Sequence, residues 1–167
     1  MTTMTYMTAT PSPLGELILT SDGTHLNGLF QPVHKGGPPD TSGWVSDPGP
    51  FREVVAELDE YFAGDRRDFT VPVAARGTAF QQRVWAALRD IPYGVTASYR
   101  DIAVAIGNVK AVRAVGLANG RNPVSIIVPC HRVVGSSGAL TGYGGGLEAK
   151  QLLLDLEWQS LHAAQPS

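Results

Sequence analysis

Two helix-start signatures, TAFQ at 78–81 and SYRD at 98–101, dictate how the second half of this chain folds. In each, a Thr or Ser oxygen accepts from the amide three residues on. The side chain at that third position reaches back to the first residue's own N–H, so the helix start is fixed. The first signature predicts a helix burying Phe80, Val84, Trp85 and Leu88 and stopped before Pro92. After the second, Ser98 caps a short helix with Ile102, Ala103 and Ile106 inside, closed by Gly107; beyond "GNV" another helix runs through "KAVRAVGLANG" to Gly120. Two short helices about a tight turn form a helix-turn-helix.

The same pattern arises in helical packings that never touch DNA, so the second helix is weighed on its residues. Ala111, Ala114, Gly116, Ala118 and Gly120 are small, which suits close approach to a surface, and Lys110, Arg113 and Arg121 bring cations beside them. Charge permits the reading. The net charge of -2 hides four basic against ten acidic residues up to Ala75, and nine basic against five acidic from Arg76 onward. A basic second half favours a polyanion, although two unrelated solvated surfaces would give the same count.

The first half reads as a small α+β unit. "GELILTSDGTHLNGLF" places two apolar segments, Leu14 to Thr20 and His25 to Phe30, about Ser21-Asp22-Gly23, and predicts two strands joined by a turn. Residues 32–50, rich in Pro and Gly, are expected to form a surface loop without regular structure. A helix follows in which Phe51, Val54, Val55, Leu58, Tyr61 and Phe62 recur at helical spacing, Glu53, Glu57 and Glu60 face outward, and Gly64 ends the run. No catalytic cluster is visible there, and the half is read as a supporting domain.

The chain has one cysteine, in "IVPCHRVVG" at 127–135. One cysteine makes no internal disulfide, and no signal-peptide pattern or apolar run of about 20 residues is present, so a reducing, cytoplasmic setting is expected. His25 and His34 lack the partners of a zinc site, and no metal is expected. Flanked by Ile126, Ile127 and Val128, Cys130 could be an inert buried residue. The opposing reading starts from Pro129, which ends the apolar run and sets Cys130 at a turn. There, at the rim and near His131 and Arg132, the thiol would be held as thiolate, the nucleophilic form.

"NPVSIIVPCHRV", with "SSGALTGYGGG" behind it and "FQQRVWAALRDIPYG" ahead, closely resembles the O6-alkylguanine-DNA alkyltransferase family from about Thr78 to Glu157. The resemblance implies an α+β protein: a small N-terminal ribonuclease-H-like α/β domain, 1–75, then a mainly helical, winged helix-turn-helix-like domain, 76–167, that binds DNA and accepts the alkyl group. It implies direct repair of O6-alkylguanine in double-stranded DNA by single-use transfer to Cys130. His131 and Glu157 would complete a relay through water, and Asn122 would brace the turn that carries the cysteine. Arg113 matches the finger that fills the stack once the damaged base has left, and Tyr99 the phenol beside the flipped base and its 3′ phosphate. Lys110, Ala114, Gly116 and Arg121 would contact DNA. Carbonyls of Val133 and Cys130 would accept from the exocyclic amine, and Tyr143 with the Gly144 amide would close the pocket.

No cofactor is implied, and the expected molecule is a nucleoid-associated monomer that can cluster on DNA. The family's usual proline is replaced by Val109, and Thr141 and Gly144 stand where some members have glycine and serine. These departures bear on adduct size. The zinc-binding residues of some relatives and a phosphotriester-repair domain have no counterpart.

The chemistry suits these residue types. Displacement at an alkyl carbon needs a soft nucleophile, a base to generate the thiolate, and a donor to the departing guanine, here Tyr99. The target lies inside the duplex and must be rotated out, at about a few kcal/mol. An alkyltransferase-like protein that binds lesions without repairing them is the first alternative; Cys130 at the acceptor position argues against it. A papain-like hydrolase is the second, but its histidine arrives from far along the chain. "GYGGG" at 142–146 lacks the lysine and spacing of a phosphate loop and is read as a pocket lid.

Overall fold

The structure, a computed structural model, describes residues 4–32, 40–135 and 146–163. Its first half is a four-stranded sheet: β1 (Tyr6–Thr10), β2 (Leu17–Ser21), β3 (Leu26–Phe30) and β4 (Val45–Ser46), in spatial order β3-β2-β1-β4. β2 runs antiparallel to both neighbours, and β4 joins β1 in parallel, Tyr6 opposite Val45. Leu17 and Leu19 of β2 and Leu26 and Leu29 of β3 turn into the core.

The two expected strands are thus present, starting at Leu17 and Leu26, but the sheet is twice as wide as the sequence suggests. β1, "YMTAT", carries little apolar signal because its residues are mostly half-buried. β4 corrects the expectation that 32–50 holds no regular structure: Val45 and Asp47 donate to the carbonyls of Thr5 and Met7 across a sheet edge, which the Pro and Gly before them do not prevent.

Helix α1 (Arg52–Phe62) packs Val54, Leu58 and Tyr61 inward and ends at Gly64, whose φ of 82° is a left-handed closing conformation. Glu57 was expected to face outward and is instead buried. Its carboxylate accepts from the Thr70 and Val71 amides and the Thr70 hydroxyl, and it pairs with Arg66, so a buried charge is satisfied by the returning chain.

Both helix-start signatures are realised. Thr78 Oγ1 accepts from Gln81 N–H at 3.1 Å and Gln81 Oε1 from Thr78 N–H at 2.9 Å, opening α2 (Ala79–Arg89). Ser98 and Asp101 repeat the exchange and open α3 (Tyr99–Ala105), which follows β5 (Ala97–Ser98). After a 3-10 turn at Val109–Ala111 comes α4 (Val112–Gly120), packed on α2 and α3. The Trp85 indole donates to the Ala118 carbonyl at 2.9 Å and fixes the end of α4 to α2. β6 (Val133–Val134) pairs in parallel with β5, and α5 (Leu147–Ala163) closes the chain over the core. One continuous apolar core spans both halves.

Candidate active site

The cysteine is delivered by a tight loop. Asn122 closes it: Nδ2 donates to the Val128 carbonyl at 2.8 Å, and Oδ1 accepts from Val124 N–H at 3.0 Å. Inside the loop, Ile127 N–H bonds back to the Ser125 carbonyl across Ile126, whose φ is 74°. A buried β-branched residue in that conformation stores about 1–3 kcal/mol of strain. A second three-residue turn follows at Pro129, with Cys130 N–H bonded to the Val128 carbonyl at 2.8 Å. The sheet holds the loop from outside, Leu29 N–H donating to the Pro123 carbonyl.

Cys130 opens a 3-10 turn, Cys130–Arg132, and is 4% exposed. The expectation of a thiol at the rim, held as thiolate near His131 and Arg132, is corrected here. Burial pushes the thiol's pKa above its ordinary value, against hydrogen bonding by Asn122 and Ser125 and the charge of Lys150. Arg132 turns elsewhere. Its guanidinium donates to Glu157 from Nε at 2.9 Å and Nη2 at 3.1 Å, and to the Ile91 carbonyl from Nη1 at 2.7 Å.

Glu157 is a buried junction on α5. Oε2 lies 2.7 Å from His131 Nε2 and accepts from the Tyr61 hydroxyl at 2.6 Å; Oε1 accepts from Gly94 N–H at 3.1 Å. Gly94 has a φ of 77°, and a Cβ there would run into Leu161, so only glycine presents that amide. Burial pushes the Glu157 carboxyl up, but hydrogen bonds from His131 and Arg132, the Arg132 charge and, once the ring is protonated in acid, the His131 charge outweigh it and hold the pKa at about 2. Burial also pushes His131 down, against the pull of Glu157, so the ring is neutral near neutral pH and Arg132 supplies the lasting counter-charge.

These states fix the histidine tautomer. An ionised carboxylate only accepts, so the proton of neutral His131 sits on Nε2 and points at Glu157. Nδ1 is left with a lone pair, buried and without a hydrogen-bond partner among the described residues. Such a nitrogen can take a proton from a thiol, directly or through one water.

The structure brings Cys130, His131, Glu157 and Asn122 into one buried cluster. Val133, fully buried, continues from it into β6. Tyr99, half-buried at the start of α3, places its ring 3.9 Å from where a Cβ on Gly116 would stand. Arg113, Ala114, Lys110 and Arg121 are exposed on or beside α4, outside the buried cluster. Ala118, grouped by sequence with the small surface-approaching residues, is instead 3% exposed in the core. Thr141, Tyr143 and Gly144, with most of the "GYGGG" lid, lie outside the described residues.

Sequence reasoning missed Tyr61, Gly94 and Lys150, and gave Arg132 the wrong partner. A signal existed on α5: Lys150, Leu153 and Glu157 share one helix face and are all buried, so two charges occupy core positions of an amphipathic helix. Among the described residues no group of His, Cys, Asp and Glu could hold a metal ion, and no helix is long and apolar enough to cross a membrane.

Two family models match the chain: the 6-O-methylguanine DNA methyltransferase ribonuclease-like domain over residues 5–75, and the DNA binding domain of the same family over 79–159. A methylated-DNA--protein-cysteine methyltransferase of Mycobacterium leprae is 52% identical over 154 residues, 92% of this chain and 93% of that protein. A constitutive one of Bacillus subtilis is 45% identical over 163 residues, 92% of this chain and 96% of that one. The crystal structure of Mycobacterium tuberculosis OGT in complex with DNA superposes with a TM-score of 0.88 at 50% identity, covering 93% of this chain and 94% of that chain.

Proposed function

The chain belongs to the 6-O-methylguanine DNA methyltransferase family, and from that premise we propose that it repairs O6-alkylguanine in double-stranded DNA by moving the alkyl group onto Cys130. The observation that carries the assignment is the buried relay: a thiol at Cys130, a neutral imidazole at His131 with its lone pair on Nδ1, and a carboxylate at Glu157 that fixes that tautomer.

In the proposed reaction the damaged nucleotide rotates out of the duplex and Arg113 fills the gap, where its exposed position on α4 leaves it free of core contacts. His131 Nδ1 takes the thiol proton through a water. Cys130 Sγ then bonds to the alkyl carbon as the carbon–O6 bond breaks, and the electron pair leaves with guanine. Tyr99 supplies a proton to the guanine and regains one from the relay, so the net change is thiol plus O6-alkylguanine to thioether plus guanine. Carbonyls of Val133 and Cys130 accept from the exocyclic amine, and Tyr143 with the Gly144 amide closes the pocket. Lys110, Ala114, Gly116 and Arg121 lie along the backbone, where the two cations give salt-dependent, sequence-independent affinity.

A thioether offers water neither a carbonyl nor a good leaving group, so each molecule acts once. In this reading residues 1–75 support and 76–167 bind and react, and the protein works as a monomer that can cluster along DNA. The test is incubation with duplex DNA bearing O6-methylguanine, followed by intact mass and peptide mapping. One methyl on Cys130 per protein is expected; tight lesion binding with an unmodified protein would reverse the assignment in favour of a non-repairing binder.

A further inference from the structure

Glu157 Oε2 has three donors, the Tyr61 hydroxyl at 2.6 Å, His131 Nε2 at 2.7 Å and Arg132 Nη2 at 3.1 Å. Tyr61 belongs to α1, 96 residues away in sequence and in the half that carries no other group of the relay. Its distance is that of a charge-assisted O–H···O⁻ bond.

Packing alone does not call for that hydroxyl. The Tyr61 ring is fully buried against Phe62, Phe69 and Tyr93, with ring centroids 5.3, 5.4 and 6.2 Å away, and a phenylalanine would fill the same space. Tyr93, in the same cluster, buries its own hydroxyl with no partner among the described residues, so the cluster imposes no particular orientation on a phenol. The Tyr61 phenol is nevertheless aimed at the oxygen that polarises His131. Each donor to Oε2 withdraws charge from it, and a carboxylate sharing its charge with a phenol pulls less on the imidazole proton.

We propose that Tyr61 is a positioning residue of the alkyl-transfer site, which through Glu157 Oε2 holds His131 in line and limits its basicity, so that the N-terminal half is part of the reactive machinery. The inference rests on the reading of Cys130 and His131 given above. The groups facing the relay are Arg132 from the 3-10 turn, Lys150 from α5, Cys130 beside His131, and Tyr93 from the segment after α2.

The test compares Tyr61→Phe, which deletes the donor, with Tyr61→3-fluorotyrosine, which keeps the shape and strengthens it. Two readouts are followed against pH: the second-order rate of methyl transfer from duplex DNA, and the His131 imidazole ¹⁵N resonances. Without the phenol, His131 becomes more basic, and both its titration and the acid limb of the rate profile move up by about half a unit to one unit. With fluorotyrosine both move down.

A lower melting temperature for Tyr61→Phe with both midpoints unmoved overturns the proposal and leaves Tyr61 a packing residue. If Tyr61→Phe does not fold, the fluorotyrosine protein decides alone: a downward shift supports the inference, and an unmoved midpoint overturns it. Should the wild-type protein place no methyl on Cys130, the functional reading fails, yet the imidazole titration still decides whether Tyr61 controls His131.

Discussion

Asn122 and Val128 are joined by a 2.8 Å bond from a side-chain amide to a backbone carbonyl, and the same Asn122 side chain holds Val124 N–H. Both backbone groups are buried, and the loop between them contains the strained Ile126. Asn122→Ala leaves the buried Val124 N–H unsatisfied and takes one of two donors from the Val128 carbonyl, which keeps Cys130 N–H. A loss of about 1–3 kcal/mol is expected, read as a lower melting temperature by calorimetry, together with a slower methyl transfer. An unchanged melting temperature would show that the loop holds itself.

Cys130→Ser is nearly isosteric, but a serine hydroxyl is a far poorer nucleophile at neutral pH. Lesion-bearing duplex should bind with undiminished affinity in a fluorescence titration, while mass spectrometry finds no transfer. Transfer near the native rate would remove Cys130 as acceptor.

Arg113 stands exposed on α4, so replacing it with alanine should not alter the melting temperature. Arg113→Ala is expected to slow repair of duplex O6-methylguanine strongly and to leave reaction with free O6-benzylguanine nearly unchanged, because a free base needs no flipping. Equal loss on both substrates would make Arg113 part of the pocket. Lost affinity alone, with the salt slope lowered by about one, would make it a phosphate contact.

Acid should destabilise the fold in two stages. Burial holds the folded pKa of His131 below its ordinary 6.5, so the unfolded chain binds the extra proton first and stability starts to fall as pH drops through about 6.5. Glu157, lowered from 4.5 to about 2, contributes stability that is present above 4.5 and lost between there and 2. That shift corresponds to on the order of 3 kcal/mol. Chemical denaturation at a series of pH values measures it, and Glu157→Gln should flatten the second stage.

What could be read from sequence divides by the range of the interaction. The starts of α2 and α3 were legible because Thr78 with Gln81, and Ser98 with Asp101, satisfy each other within four residues. Cys130, His131, Glu157 and Asn122 were named from family resemblance, and spacing alone gave only the adjacency of thiol and imidazole. Buried carboxylates defeated the periodic reading. Glu57 looked outward on its helix because the amides that satisfy it, at Thr70 and Val71, come from a segment whose path the helix does not determine. Tyr61 reads as one more apolar residue of the stripe, since nothing within α1 announces a carboxylate arriving from the far end of the chain. Adjacency in sequence sets Arg132 near the thiol, whereas α5 and the Ile91 carbonyl decide where a guanidinium finds acceptors.

A reagent that can act only once must also last. Cys130 is almost sealed from solvent, and its burial keeps the resting sulfur in the protonated form, which soluble oxidants and stray electrophiles attack slowly. The base that would activate it is buried as well, its Nδ1 out of reach of solvent and without a hydrogen-bond partner among the described residues. Idle molecules therefore keep a long shelf life, and the repair capacity of a population is set by how many were made and how many lesions they have met, with little spent on bystander chemistry.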